Sequence, residues 1–341
     1  MSSFTDKLAR FVESTCVGLA LTLSKDVGIL QVLLDARTPL TSHQIADQRG
    51  MKERYVRELV DCLATAEVIH ASTSDSGCLL YYIDEEEKKA FKTPAMARMS
   101  FSVGMMKVYD YLKSCFSKTG PSGFRISTEF YDAIDEYGDC QFDSYVDSLM
   151  RCVDGLKAQL ESGIDVLEVG CGRGRMLAKL ARMFPESSFT ASDKVQSLQD
   201  WQKTNLSYIP NVKYDMLDLS CPSDLPSKQY DLVYCVNVIH DVPDPLEALK
   251  TVRKLTKPGG VFTMIDFATS GSPIGDKGNM LVAFLYSVGT FMSVPESFQR
   301  EDSQAMGCCW GKQRAVDLAT AAGFTVDVVY LEYPVALFIC K

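Results

Sequence analysis

The residues best placed to do chemistry lie in the run Asp165-Val-Leu-Glu-Val-Gly-Cys-Gly-Arg-Gly174 and in the pair Asp193-Lys194. Ile164–Val169 is a short, mainly apolar stretch with Glu168 near its C-terminal end. Gly170, Gly172 and Gly174 follow at alternate positions, with Cys171 and Arg173 between them, and Met176, Leu177, Leu180 and Phe184 then recur at helical spacing. A buried parallel strand, a glycine turn and a helix N-terminus form the nucleotide cleft of doubly wound α/β proteins. Glycine suits such a turn because a side chain would block the ligand or resist a positive φ. A dinucleotide fingerprint counted from Gly170 would need glycine at 175, where Arg175 stands. The pattern is therefore E-x-G-x-G-x-G. Asp193 ends the next apolar run, about 20 residues on, where an acid can take a pair of ribose hydroxyls. Capping the following helix is the alternative use for that carboxylate.

The elements that must hold these residues continue the alternation. Ser188–Ser192 reads as a second strand, Asn211–Asp215 as a third with Asp218 just beyond, and Tyr230–Val236 as a fourth leading into Asn237-Val-Ile-His-Asp241. A helix over 244–256 presents Leu246, Leu249 and Val252, Lys257-Pro-Gly-Gly260 closes it, and Val261–Asp266 is the fifth strand. An insertion over 268–308 carries Met280, Leu281, Phe284, Leu285, Val288, Phe291 and Met292 at helical spacing, which suits a pocket lid or a partner interface. After a helix over 311–322, Thr325–Leu331 and Val335–Cys340 are joined by three residues only. So short a link forces an antiparallel hairpin, because a parallel return needs a dozen residues or more.

The first part of the chain has a different pattern. Residues 5–36 repeat apolar side chains at helical spacing as far as Pro39. Thr41-Ser-His-Gln44 has the form of a capping box, opening a short helix that Gly50 ends. A helix over 52–65 and two strand-like pieces, Val68–Ala71 and Leu79–Ile83, complete a winged helix-turn-helix over 1–93. Between Thr41 and Ile83 four cations (Arg49, Lys52, Arg54, Arg57) face six anions (Asp47, Glu53, Glu58, Asp61, Glu67, Asp75), a net −2. A groove-reading helix normally adds cations to neutralise phosphates, so this module reads as a dimerising or packing element. His43 and His70 are read as structural or surface residues, and Asp84–Lys89, acids before bases, as a helix start. From 94 to 160 the chain is helical, rich in Met and aromatics, and reads as a linker that could cap a substrate site.

The whole chain has a net charge of −9 and 46% hydrophobic residues, values of a globular protein with little affinity for nucleic acid or anionic membranes. Twelve scattered cysteines without a C-x-x-C pair read as reduced thiols in the cytoplasm. No acidic cluster suggests a metal, no stretch approaches ~18 uninterrupted apolar residues, and no signal peptide is expected.

The E-x-G-x-G-x-G run resembles motif I of the class I S-adenosylmethionine-dependent methyltransferases, and residues 161–341 resemble that domain throughout. The full chain is similar to a bacterial and invertebrate group with an N-terminal winged helix, echoed in Glu161–Gly172 and in Met306-Gly-Cys-Cys-Trp-Gly311. Its layout also resembles the plant-type small-molecule O-methyltransferases. The resemblance implies an α/β, Rossmann-like seven-stranded sheet with a terminal antiparallel hairpin, preceded by an α+β winged-helix domain that forms a homodimer. It implies S-adenosyl-L-methionine as cofactor. Gly170, Cys171, Gly172 and Gly174 would approach its methionine and ribose, and Glu168 would support the turn or the amine. Asp193 would take the ribose with Lys194 beside it, Asp218 the adenine amino group, Leu219 the ring, and the Asn237 backbone the methionine end. Arg173 is expected to face outward. His240-Asp241 matches in part the His-Asp pair that carries the general base in plant-type enzymes, though Val242 replaces their Trp. A neutral imidazole could take the proton of an alcohol or phenol as it attacks the methyl group.

The expectation is methyl transfer to a small-molecule acceptor, most plausibly at oxygen, without a metal, nucleic acid or membrane partner. The competing readings are a DNA-binding regulator with a cofactor-sensing domain, a cofactor-binding protein without turnover and, more distantly, a nicotinamide oxidoreductase.

Overall fold

The computed structural model of the chain describes residues 3–220, 228–300 and 302–341, with side chains throughout except at 128 and 129. Two compact units divide it, Met1–Gly104 and Met105–Lys341. In the first, α1 (Phe4–Asp26) and α2 (Ile29–Asp35) precede α3 (Ser42–Arg49) and α4 (Glu53–Thr65). The Thr41 capping box is present in both directions: the Gln44 amide donates to Thr41 Oγ1 at 3.2 Å, and the Thr41 amide donates to Gln44 Oε1 at 2.8 Å. Strands β1 (His70–Thr73) and β2 (Leu79–Tyr82) pair antiparallel as the wing, and Leu33, Ile45, Val60, Leu63, Ile69 and Tyr81 form the core beneath. Asp84–Glu87 is a turn that leads into a 3₁₀ helix, Lys88–Lys92, with Glu87 at its N-cap position, rather than the first turn of an α-helix. Its acids are engaged locally, with Glu87 on His70 Nε2 at 2.7 Å and Glu85 on Lys88 Nζ at 2.7 Å. On α4, Arg57 pairs with Glu53 at 3.2 Å and Arg54 with Glu58, so the helix neutralises its own cations. Among the described residues no single helix is long and apolar enough to cross a membrane; α1 and α2 reach that composition only together, across a 72° bend.

The short helix α5 (Pro94–Ala97) and α6 (Phe101–Cys115) lead to α7 (Thr128–Asp139), α8 (Phe142–Cys152) and α9 (Leu156–Ser162). A seven-stranded sheet follows, with β3 (Asp165–Val169), α10 (Arg175–Met183), β4 (Ser188–Asp193), α11 (Gln196–Leu206), β5 (Val212–Met216) and β6 (Tyr230–Val236). Next come α12 (Pro245–Leu255), β7 (Thr256–Phe267), α13 (Met280–Val288), α14 (Val294–Ser297), α15 (Lys312–Ala321), β8 (Val326–Glu332) and β9 (Val335–Cys340). The order is β5-β4-β3-β6-β7-β9-β8. β9 runs antiparallel to both neighbours, as its short link to β8 requires, and all six of its residues are buried. Strand β7 begins earlier than its apolar run suggests. Thr256 pairs with Tyr230, and an irregularity beyond it carries Lys257-Pro-Gly-Gly260 along the strand rather than past a helix end. The insertion after β7 is not one helix: α13 passes into a π-helical turn, Gly289–Ser293, before α14. The strand order reverses between β3 and β6, so the C-terminal ends of β3, β4 and β6 bound the crevice in which such sheets bind ligands.

Candidate active site

The glycine turn leaves β3 beside its parallel neighbour β4, with Val169 opposite Ser192. Gly170 has φ +62°, and a Cβ there would stand 2.8 Å from a Val238 methyl. Gly172, at φ +58°, has open space where its Cβ would be. The first glycine lets β3 pass under the β6 loop; the second leaves the backbone bare for a ligand. Asp193 closes the turn: Oδ2 accepts the Gly172 N–H at 2.9 Å and Oδ1 the Val195 N–H at 3.0 Å. Each carboxylate oxygen keeps acceptor capacity beyond that one bond. Burial raises the Asp193 pKa against the opposing pull of those N–H groups. Gln202 Nε2 fastens the other side of the turn, on the Gly172 carbonyl at 2.5 Å and on Cys171 Sγ at 3.2 Å. Burial pushes the Cys171 thiol pKa well up, so it fills space rather than reacting as a thiolate.

Glu168 is buried beneath this turn, accepting from the Tyr234 hydroxyl at 2.9 Å. Burial pushes its pKa up to about 8, although Tyr234 and the Leu177 amide at the start of α10 favour the carboxylate. Asn237, just past the end of β6, holds φ +53°, and its Oδ1 is buried without a hydrogen-bond partner among the described residues. The Leu217 N–H donates to the Asp193 carbonyl at 3.2 Å, which brings residues 217–219 to the same edge. There Asp218 Oδ1 accepts the Ser220 N–H at 2.8 Å, while the Leu219 side chain packs into the core. Lys194, next to Asp193, pairs with Glu296 of α14 at 3.0 Å.

Arg173 does not face outward. Its side chain is 15% exposed, and Nη1 lies 2.8 Å from Asp132 and 2.6 Å from Asp135, both on α7.

His240 is 1% exposed, in a 3₁₀ turn just past β6. Its Nδ1 bonds Asp266 Oδ1 at 2.7 Å, and its Nε2 lies 3.3 Å from Asp241 Oδ1, too poorly aligned for a hydrogen bond. Phe267 and Trp310 pack against the ring. Burial works to lower the His240 pKa, but Asp241 and Asp266 outweigh it and hold the imidazole well above its ordinary range. Burial raises the Asp241 pKa, opposed by His240. Oδ1 of Asp241, Oδ2 of Asp266 and Nε1 of Trp310 are buried without hydrogen-bond partners among the described residues. Buried polar groups are normally paired, so these three atoms are candidates to bond a polar group of a ligand.

Asp266, Glu296, Tyr234 and Trp310 were not legible as site residues in the sequence. Asp266 carried a usable signal, as an acid at the C-terminal end of a strand bordering the crevice. Elsewhere, His70, Asp84 and Glu87 bring three potential metal-ligand atoms within 4.8 Å at the surface of the winged-helix unit.

Residues 141–327, more than half of the chain, match the family described as methyltransferase domain, and residues 15–91 match an Rv2258c-like winged HTH domain. The chain belongs to the methyltransferase-domain family. It is 30% identical over 115 residues to ubiquinone biosynthesis O-methyltransferase of Alkalilimnicola ehrlichii, covering 34% of this chain and 44% of that one. The enzyme of the same name from Neisseria meningitidis is 24% identical over 172 residues, covering 50% of this chain and 71% of its own length. The fold is similar to human N-acetylserotonin methyltransferase in complex with SAM (TM-score 0.72, 15% identity, 100% of this chain and 98% of that one). It is also similar to an O-methyltransferase family protein from Burkholderia thailandensis (TM-score 0.66, 14% identity, 100% and 98%).

Proposed function

We propose that the chain is an S-adenosylmethionine-dependent methyltransferase that acts on a hydroxyl group of a small molecule. Family membership supports the chemistry, and the buried His240 cluster supports oxygen as the acceptor atom. The residues at the crevice fit the cofactor. Asp193 retains acceptor capacity for two ribose hydroxyls, Gly172 exposes bare backbone beside it, and the orphaned Asn237 Oδ1 can receive an ammonium group. Glu168, under the turn, would be drawn from its protonated to its carboxylate form by the same ammonium. Asp218 would meet the adenine through its carboxylate and Leu219 through its backbone.

When bound, S-adenosylmethionine supplies a methyl group on a positively charged sulfur. The protein's own part is alignment and proton removal. Asp266 fixes the imidazole through Nδ1, so that Nε2 looks toward Asp241. An imidazole held as a cation is no base by itself; the Asp241 carboxylate beside it is. Burial raises the basicity of that carboxylate, which favours general-base action. The acceptor hydroxyl would bond to the Asp241 carboxylate, whose side chain is 24% exposed, and release its proton to it as the oxygen gains the methyl group. Phe267 and Trp310 exclude water around the pair.

Two further readings belong to the first unit. Phe4, Leu8, Phe11 and Val12 lie exposed along α1, and we propose that a second copy of the chain covers them in a homodimer, to be checked by sedimentation. The self-paired cations of α4 argue against DNA as a partner, and a mobility shift lost with rising salt would overturn that. The enzymatic reading is tested by incubating methyl-labelled cofactor with phenols, alcohols, amines and thiols. Transfer confined to amines or thiols would overturn the assignment to oxygen. Tight S-adenosylhomocysteine binding without transfer to any of them would favour a cofactor-binding protein without turnover.

A further inference from the structure

Arg173 stands inside the glycine turn, yet among the described residues its guanidinium pairs with another element. It reaches to α7. Nη1 lies between Asp132 and Asp135, and the guanidinium rests 5.5 Å from the Trp201 ring centroid on α11. The contact is the first rung of a ladder. Arg175 Nε donates to Asp139 at 2.8 Å, and Lys179 pairs with Asp143 in the first turn of α8. Asp132, Asp135 and Asp139 recur every three or four residues along one face of α7, and Arg173, Arg175 and Lys179 climb the turn and α10 in the same order. On the same helix Phe130 and Ala133 are fully buried.

The segment before α7 is fastened as well. The Phe124 N–H donates to the Pro295 carbonyl at 3.0 Å, and the Ile126 N–H to Glu296 Oε2 at 2.9 Å. Glu296 in turn holds Lys194, next to Asp193. The cap formed by α7 and α14 is thus tied by ion pairs to the two turns assigned here to the cofactor, after β3 and after β4.

We propose that Arg173 is a positioning residue for the cofactor: it clasps α7 over the glycine turn, and release of this ionic clasp controls how fast the cofactor leaves. The proposal rests on the reading that the cofactor binds at Gly170–Gly174 and Asp193. A permanent core contact would be apolar. A row of ion pairs can part, because water and salt compensate the separated charges, and the outer two rungs are already partly exposed. On the innermost rung Arg173 and Asp135 are sheltered, 15% and 16% exposed, while Asp132 is exposed; loss of Arg173 or Asp135 leaves a part-buried charge without its main partner. Truncating such a pair acts mainly on the dissociation rate. A planar fork suits the two carboxylates and the indole face together, which an ammonium would do less well.

The test compares wild type with Arg173→Gln, Arg173→Lys and the α7-side variant Asp132→Asn/Asp135→Asn. Dissociation of S-adenosylhomocysteine is followed by rapid mixing at low and high salt, and amide hydrogen exchange over 128–139 is measured without ligand. Arg173→Gln and the α7 variant are expected to release ligand about tenfold faster and to exchange faster in α7, with Arg173→Lys intermediate. Wild-type release should quicken with salt, and that of Arg173→Gln much less. Wild-type release rates and α7 exchange in a folded Arg173→Gln or α7 variant would overturn the clasp. So would a drop in melting temperature without any change in release. A folded wild type that binds no ligand overturns the cofactor-site reading, and the clasp with it.

Discussion

Replacing Glu168 with Gln should change how stability depends on pH more than it changes stability itself. Glu168 is 4% exposed, and its pKa is pushed up to about 8 by burial, with the Tyr234 hydroxyl opposing. In the unfolded chain the same group ionises near the ordinary value of 4.5. Between these values the folded protein holds a proton that the unfolded chain has released. A raised folded-state pKa gives stability that is whole below the unfolded value and is lost as pH rises through the folded one. One proton corresponds to about 1.4 kcal/mol per pH unit. Two pH units inside the window, from about 5.5 to 7.5, should therefore cost wild type on the order of 2 kcal/mol through this group alone. Gln keeps the size of the protonated acid and an oxygen for Tyr234, but it cannot titrate. Urea unfolding of both proteins at the two pH values measures the difference, with other titrating groups cancelling in the comparison. Parallel curves would refute the claim that Glu168 is protonated in the folded protein.

Other perturbations separate the roles assigned at the crevice. Asp266→Asn should free Nδ1 of His240 from its anchor, lower the imidazole pKa toward its ordinary range and reduce kcat by at least about tenfold. S-adenosylhomocysteine affinity should stay as it is, and a matching loss of binding would place Asp266 in the cofactor site instead. Gly172→Ala has room for its methyl group but must hold φ +58°, at a cost of about 1–2 kcal/mol. That methyl would project where the ligand is expected, so affinity should fall beyond what the melting temperature accounts for. Equal affinity would mean that the ligand does not approach this glycine. Calorimetry of S-adenosylhomocysteine near pH 7 in buffers of different ionisation enthalpy should show proton release in wild type, as an ammonium draws Glu168 to its charged form, and none in Glu168→Gln.

The sheet was legible because its central strands are buried on both faces and read as apolar runs punctuated by glycine or an acid. The hairpin followed from a three-residue link, and the Thr41 cap from side-chain reach alone. These are local constraints. Arg173 was misread for the opposite reason: between two glycines it looks like a solvent-facing loop residue, while its partners Asp132 and Asp135 lie on a helix far upstream. Asp266 and Glu296 were missed similarly, since only the fold brings the first to His240 and the second to Lys194. The acids of Asp84–Glu87 suggested a helix start by the dipole rule, but His70 and Lys88 are the charges that engage them. Lys257-Pro-Gly-Gly260 has turn residues inside what proves to be a strand, where pairing of Thr256 with Tyr230 overrides local propensity.

The glycine turn and Asp193 are proposed together as the cofactor site. The most direct measurement is calorimetric titration of S-adenosylhomocysteine into wild type and Asp193→Ala, with folding of both checked by circular dichroism. The account predicts tight binding by wild type and a loss of about a hundredfold or more in the variant, as two charge-assisted hydrogen bonds to ribose disappear. Equal affinity in a folded Asp193→Ala, or no binding by a folded wild type, would contradict it.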